Sequence, residues 1–136
     1  GEQYLNYAEA LNESQGPVAD VYKYVNAIRT RSGLPELAAG LSKDEMRAQI
    51  WAERRIELAF EGHRYFDTRR WKIAATTNSG NLYGLNITSG TSATDASFYK
   101  RTVVEKRVFI APRDYFWPVP QSELNKDPNL QQGMYW

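Results

Sequence analysis

Between Glu53 and Trp71 the chain reads ERRIELAFEGHRYFDTRRW, a run that crowds carboxylates, arginines, a histidine and large rings together. Two carboxylates held about 5 to 9 Å apart can serve as general acid and as nucleophile or base on a glycosidic bond. Glu53, Glu57 and Glu61 recur at every fourth position, so on a helix they line one ridge, and Glu53 with Glu57 meets that spacing. The same run supplies a reason to doubt catalysis. Arg54 and Arg55 flank the ridge, Ile56, Leu58 and Phe60 fill the other faces, and Arg64, Arg69 and Arg70 follow in the next segment. A helix that is apolar or ionic nearly all round is a buried one, and buried carboxylates persist when paired. Pairing lowers a carboxyl pKa and removes the raised-pKa acid that glycoside hydrolysis needs. The run therefore reads as a structural ionic core of Glu53, Arg54, Glu57, Glu61, His63, Arg64, Asp67, Arg69 and Arg70, with the acids expected to meet Arg64, Arg69 or Arg70. No residue is assigned a catalytic role, and a hydrolase using Glu53, Glu57 or Glu61 stays as the least favoured alternative.

Other chemistries lack their residues. His63 is the sole histidine and there is no cysteine, so neither a histidine-rich nor a cysteine metal site can form, and no disulfide or thiolate is available. His63 reads instead as a bridge between helix backbone and carboxylate at a helix junction. Ser42, Ser79, Ser89, Ser92 and Ser97 sit in caps or loops without a nucleophile-elbow pattern. Gly80, Gly84 and Gly90 are spread through a polar stretch with no following lysine, so no phosphate-cradling loop is present and the sequence calls for no cofactor.

The aromatics carry the positive signal. Sugars present apolar C–H faces rimmed by hydroxyls, and a surface that holds them combines flat rings with amide, carboxylate or guanidinium groups. Tyr83 with Asn78, Asn81 and Asn86 has that chemistry, as does Tyr99 beside Asp95, and the candidate ligand-binding set is Tyr83, Asn81, Asn86, Tyr99 and Asp95. The competing reading is that Tyr83 and Tyr99 pack a hairpin. Trp71 and Trp117 read as residues that hold the fold together.

The elements that must position these groups are mostly helical. Tyr4, Tyr7, Ala8 and Leu11 fall at helical spacing, and the first helix stops near Ser14-Gln15-Gly16. Pro17 suits a first helical position, and Val18, Val21, Val25 and Ile28 mark the stripe of a second helix that ends in Arg29, Arg31 and a Gly33 stop. Ser42 with Glu45 forms a capping box and Leu41 with Met46 sits at staple positions, so a third helix starts at Lys43 and runs to about Glu61. The next helix is expected over His63 to Ala75. From Thr76 to Ser97 the chain is rich in Gly, Ser, Thr and Asn, and the Tyr83 segment is expected to pair with Phe98 to Phe109 as a β-hairpin. Pro112, Asp114 and Tyr115 should make a turn, Trp117-Pro118-Val119-Pro120 should run extended, and the irregular tail should dock back through Tyr135 and Trp136.

The order of these pieces resembles a known family. ERRIELAFEGHRYFDTRRW is similar to the signature of the SusD/RagB family of Bacteroidetes surface lipoproteins. Upstream, YLNYAEALNE and VYKYVNAIRTRSGLPEL resemble the helical pair before that signature, and DYFWPVPQSELNKDPNLQQGMYW resembles the family's C-terminal ending. The resemblance implies a mainly α fold of tetratricopeptide-like helical hairpins of the SusD type, with a small β-hairpin and long irregular C-terminal segments. It implies a noncatalytic glycan-binding protein of the outer-membrane cell surface that hands oligosaccharide to a SusC-type TonB-dependent transporter, held by a lipid anchor that this chain does not contain. Within the chain no second copy of the helix pair is evident at a period near 34 residues, so the repeat rests on the resemblance. A docking module without its own sugar site is the runner-up reading.

Composition bounds the rest. With 136 residues, 42% apolar and 13% aromatic, the chain is expected to form one domain, residues 1–136, and to be a fragment covering the C-terminal part of a longer family member. A fragment of that kind exposes apolar surface, so self-association is expected. The net charge of +1, with acids and bases interleaved, gives no footprint for nucleic acid or an anionic membrane.

Overall fold

The computed structural model describes residues 1–87, 92–94 and 98–136. The fold is mostly helical with one small antiparallel sheet, and it divides into two compact units, Gly1–Phe66 and Asp67–Trp136.

The first unit is a helical layer built from α1 (Glu2–Gln15), α2 (Ala19–Arg31) and α3 (Lys43–Glu57). Helix α1 packs against both α2 and α3. Ala8, Val21, Val25, Met46 and Ile50 are fully buried in one cluster, and Leu5, Ile28 and Leu58 form a second. Each large aliphatic side chain so buried contributes about 1.5 to 3 kcal/mol relative to exposure. The start of α3 follows the sequence reading. Ser42 Oγ accepts from the Glu45 amide at 3.3 Å, the Ser42 amide donates to Glu45 Oε2 at 2.8 Å, and Leu41 packs at the core beside buried Met46. The end of α2 is a Schellman closure at Gly33 (φ 75°), where the Leu34 amide donates to Arg29 O and the Gly33 amide to Thr30 O.

Several boundaries differ from the sequence reading. Pro17 lies outside α2, whose N-cap is Val18. Helix α3 ends at Glu57 rather than Glu61, because Phe60 (φ 67°) and Gly62 (φ 81°) take left-handed backbone that no helix can include. Nor is α3 buried all round: Met46, Ile50, Glu53 and Arg54 face inward, whereas Ile56 is 70% exposed. The expected helix from His63 to Ala75 is two, α4 (His63–Arg70) and α5 (Ala74–Thr77), parted by Lys72 at φ 59°.

In the second unit, β1 (Gly80–Asn86) pairs antiparallel with β2 (Lys100–Arg107), the hairpin expected from the sequence. A 3-10 turn over Arg113–Tyr115 and a short α6 (Gln121–Leu124) follow. Trp117 to Pro120 is extended, and Gln132 clamps Val119 by accepting from its amide at 2.8 Å and donating to its carbonyl at 3.1 Å. The tail returns as expected: Tyr135 lies 5.7 Å from the Phe116 ring and Arg113 sits 4.8 Å over Trp136. Trp117 itself is 73% exposed, so it is no core residue.

Candidate functional site

Two acids of the ridge pair with arginines that precede them in the chain. Glu53, buried on α3, pairs with Arg29 of α2, and Glu57 pairs with Arg31 of the same helix. The two arginines belong to the last turn of α2, so packing of that helix carries them to α3. Arg29 also donates from Nε to the Pro35 carbonyl at 2.8 Å, which ties the α2–α3 loop to the pair. Buried Arg54 reaches α1, donating to Asn6 Oδ1 at 2.6 Å and lying 3.6 Å from Glu9 Oε2. His63 Nε2 stands 3.9 Å from a carboxylate oxygen of Glu2 and of Glu61. In the second unit, buried Asp67 accepts from Arg70 Nε at 2.9 Å, and Arg69 lies 5.5 Å over the Phe109 ring. Arg64 lies in the first turn of α4. With Glu53 and Glu57 each committed to an arginine, the ridge specifies helix packing. Arg29 and Arg31 were missed because nothing in local spacing ties them to glutamates more than twenty residues onward. The Gly33 stop, which places them in a final helical turn, was the available signal.

Of the candidate sugar residues, Asn81, Tyr83 and Asn86 lie on β1 of the hairpin. Strand β1 alternates, so Asn81, Tyr83 and Leu85 share one face and Leu82, Gly84 and Asn86 the other. The first set is drawn together: Asn81 Nδ2 donates to Tyr83 Oη at 3.5 Å, and the Arg101 guanidinium of β2 lies 3.8 Å over the Tyr83 ring. Residues opposite one another in an antiparallel pair share a face, which adds Val103 across from Tyr83, Arg101 across from Leu85 and Lys106 across from Asn81. A register shift between Leu82 and Tyr83 takes up one extra residue on β2. Val104 is turned by that bulge onto Gly84, where an added Cβ would stand 2.7 Å from Val104 Cγ2. A side chain at Gly84 would force Val104 to shift.

Asn86 is set apart from Tyr83 on the opposite face, across from Lys100. Tyr99 precedes β2 and meets the Phe98 ring edge-on at 5.0 Å while staying 51% exposed. Asn78 closes α5 and donates to Thr68 Oγ1 at 3.4 Å, a fold contact. Asp95 lies outside the described residues. The sequence reading missed Arg101, which becomes visible only once the register brings it over the tyrosine. Tyr83 is 46% exposed, so its ring serves hairpin packing through Arg101 and still offers surface. Among the described residues no group of three or more His, Asp or Glu is placed to hold a metal ion, and no helix is long and apolar enough to cross a membrane.

The model of the SusD family matches residues 1–136, the whole chain. The chain belongs to the SusD family. Among its relatives is SusD-like protein P2 of Formosa agariphila, 33% identical over 95% of this chain and 23% of that protein. A SusD-like protein from Bacteroides fragilis superposes with a TM-score of 0.82 at 37% identity, covering 99% of this chain and 24% of that one. A SusD homolog from Bacteroides thetaiotaomicron superposes with a TM-score of 0.67 at 26% identity, covering 98% and 25%. The chain thus spans about a quarter of the length of these relatives. The SusD fold seen here, helical with one small hairpin, is the one the signature run implies.

Proposed function

We propose that this SusD-family chain is part of a noncatalytic glycan-binding protein of the bacterial outer-membrane surface, lipid-anchored outside this chain and delivering oligosaccharide to a SusC-type TonB-dependent transporter. Family membership over residues 1–136 supports the class, and the observation that carries a sugar site into this chain is the exposed Tyr83 ring with Asn81 bonded to its hydroxyl. A ring takes the C–H face of a pyranose, and amide and guanidinium groups beside it take hydroxyls. The commitment of Glu53 and Glu57 to Arg29 and Arg31 supports a binding role over hydrolysis. Calorimetric titration with neutral and charged oligosaccharides tests the reading. Binding that is lost in Tyr83→Ala, with the circular dichroism spectrum retained, is the expected result, and absence of binding to every sugar would reject it.

A second reading draws on a different observation. Ile56 (70% exposed), Phe60 (108%) and Phe66 (66%) leave apolar side chains uncovered in the first unit, which favours a docking module in this part of the chain. Light scattering that finds a clean monomer at all concentrations would count against self-association through these residues.

A further inference from the structure

Each face of the hairpin carries two cations, Arg101 and Lys106 on one and Lys100 and Arg107 on the other, and the faces differ in their acid. On the face that carries Tyr83, the register places Asn81, Tyr83 and Leu85 of β1 with Arg101, Val103 and Lys106 of β2. That face bears two cations and no acid. The one carboxylate of the two strands, Glu105, stands across from Leu82 on the opposite face, where its Oε2 is 3.4 Å from Arg107 Nε. Every residue of the Tyr83 face is exposed within this chain. The Arg101 guanidinium carbon lies 3.8 Å over one side of the Tyr83 ring, a placement that holds the guanidinium beside the ring and leaves the other side of the ring for a sugar. Lys106 stands beside Asn81, whose amide is already drawn to the Tyr83 hydroxyl at 3.5 Å. The chain as a whole carries a net charge of only +1, so this concentration of like charge beside a sugar-compatible ring is a local feature.

We propose that the Tyr83 face selects anionic oligosaccharides, with Tyr83 covering the pyranose ring and Arg101 and Lys106 taking its carboxylate or sulfate groups. The inference rests on the glycan-binding reading and adds the ligand class. A neutral glycan would leave two cations beside the ring without partners, whereas a uronate or a sulfate ester supplies the planar or tripodal oxygens that a guanidinium and an ammonium bind. Nucleic acid is the less suitable polyanion, because a face with one ring and two cations offers neither the extended basic groove nor the successive stacking platforms that a strand uses.

The test is a calorimetric series on the protein with size-matched oligosaccharides: a galacturonate oligomer, a sulfated galactan oligomer, the unsulfated galactan, and a single-stranded oligonucleotide of equal charge. The expected result is binding of one or both anionic sugars about tenfold or more tighter than the neutral one, which weakens as salt rises. The uronate and sulfate arms identify which anion is taken. Lys106→Gln should weaken the anionic sugar about tenfold and leave any neutral sugar unchanged, while Arg101→Gln, which also removes a donor to sugar hydroxyls, should weaken the anionic sugar more than the neutral one. Tyr83→Ala should weaken both. Equal affinity for neutral and anionic sugars, unmoved by either substitution at the cations, would overturn the anion preference while the glycan-binding reading stands. An oligonucleotide that binds as tightly as the sugars would also overturn it. No binding to any sugar would overturn both. Lys106→Gln changes an exposed strand residue whose backbone pairing is kept, so a folded variant is expected even if Arg101→Gln loosens the hairpin.

Discussion

Glu53 and Glu57 carry the same charge one turn apart on the same helix, yet their removal should cost very different amounts. The Glu53 side chain is 8% exposed and that of its partner Arg29 is 17% exposed. Replacing Glu53 with Gln leaves a largely desolvated guanidinium without its counter-charge, a change that costs about 3 kcal/mol. Glu57 faces Arg31, whose side chain is 58% exposed and can turn to water, so Glu57→Gln should cost below about 1 kcal/mol. Urea unfolding of the two variants checks the order; equal losses would mean that the pairs do not differ in burial as described. A surface pair gives a different readout. Arg47 grips the Glu13 carboxylate with Nε at 2.5 Å and Nη2 at 2.6 Å, and this hydrogen-bonded contact holds the Glu13 pKa below its ordinary 4.5. A carboxyl that titrates lower in the fold than in the unfolded chain contributes its full share above about pH 4.5 and loses it as the pH falls through the depressed value. Arg47→Ala should therefore raise the Glu13 midpoint toward 4.5 in an NMR titration and flatten acid unfolding between that pH and the native midpoint. An unchanged midpoint would show that the contact is not populated in solution.

At the scale of elements, ends marked by a local device were legible, the capping box of α3 and the glycines that follow α1 and α2, and ends without one were not. Ser42 and Glu45 announce the start of α3 because a capping box is a local device of four residues, complete within its own stretch of sequence. Ser42→Ala should cost about 1 kcal/mol and also release Glu45, whose pKa is held down first by the Ser42 side chain. Thermal unfolding together with a carboxyl titration separates the two effects, and a Glu45 midpoint that stays low without the hydroxyl would rule out the serine as its cause. The end of α3 shows the opposite case. Leu58, Ala59 and Phe60 have no helix-breaking residue type, and the left-handed turn at Phe60 is set by the geometry after α3, which residue spacing does not report. The same holds for Lys72, which divides α4 from α5. Partners followed the same rule. Ring and amide chemistry in one stretch singled out Tyr83 and Asn81, but the register that lays Arg101 over the ring depends on a bulge in the other strand. Asn86 was grouped with Tyr83 by proximity in sequence, and strand alternation separates them.

At the scale of the molecule, the apolar core is unevenly shared. Of the buried hydrophobic residues, Leu5, Ala8, Val21, Val25, Ile28, Met46, Ile50 and Leu58 belong to the first unit, and Ala74 alone belongs to the second among the described residues. The second unit is held by other means: the edge-on Phe109–Tyr115 pair at 4.8 Å, Lys72 at 4.6 Å over Tyr115, the Gln132 clamp on Val119, and hydrogen bonds such as Phe109 N to Ser79 Oγ at 3.0 Å. Contacts of this kind stabilise by about 0.5 to 1.5 kcal/mol each, less than a filled aliphatic core supplies, and a two-stranded hairpin is marginal by itself in water. Local opening should follow that division. Amides in the middle of α1, α2 and α3 should exchange with the global unfolding free energy, while those of β1 and β2 exchange through openings at least about tenfold more frequent. Ile50→Ala should sharpen the contrast from the other side. It removes a fully buried side chain at a cost of about 2 to 5 kcal/mol, which should speed exchange throughout the helical unit and leave the hairpin amides close to their original rates. Hydrogen exchange read by NMR would decide this, and equal acceleration of helix and hairpin amides would mean that the two units unfold as one. A binding surface on the less stable unit also has a thermodynamic consequence: ligand that binds the ordered hairpin must slow its exchange, so protection of β1 and β2 on adding oligosaccharide is a direct reporter of binding at the Tyr83 face.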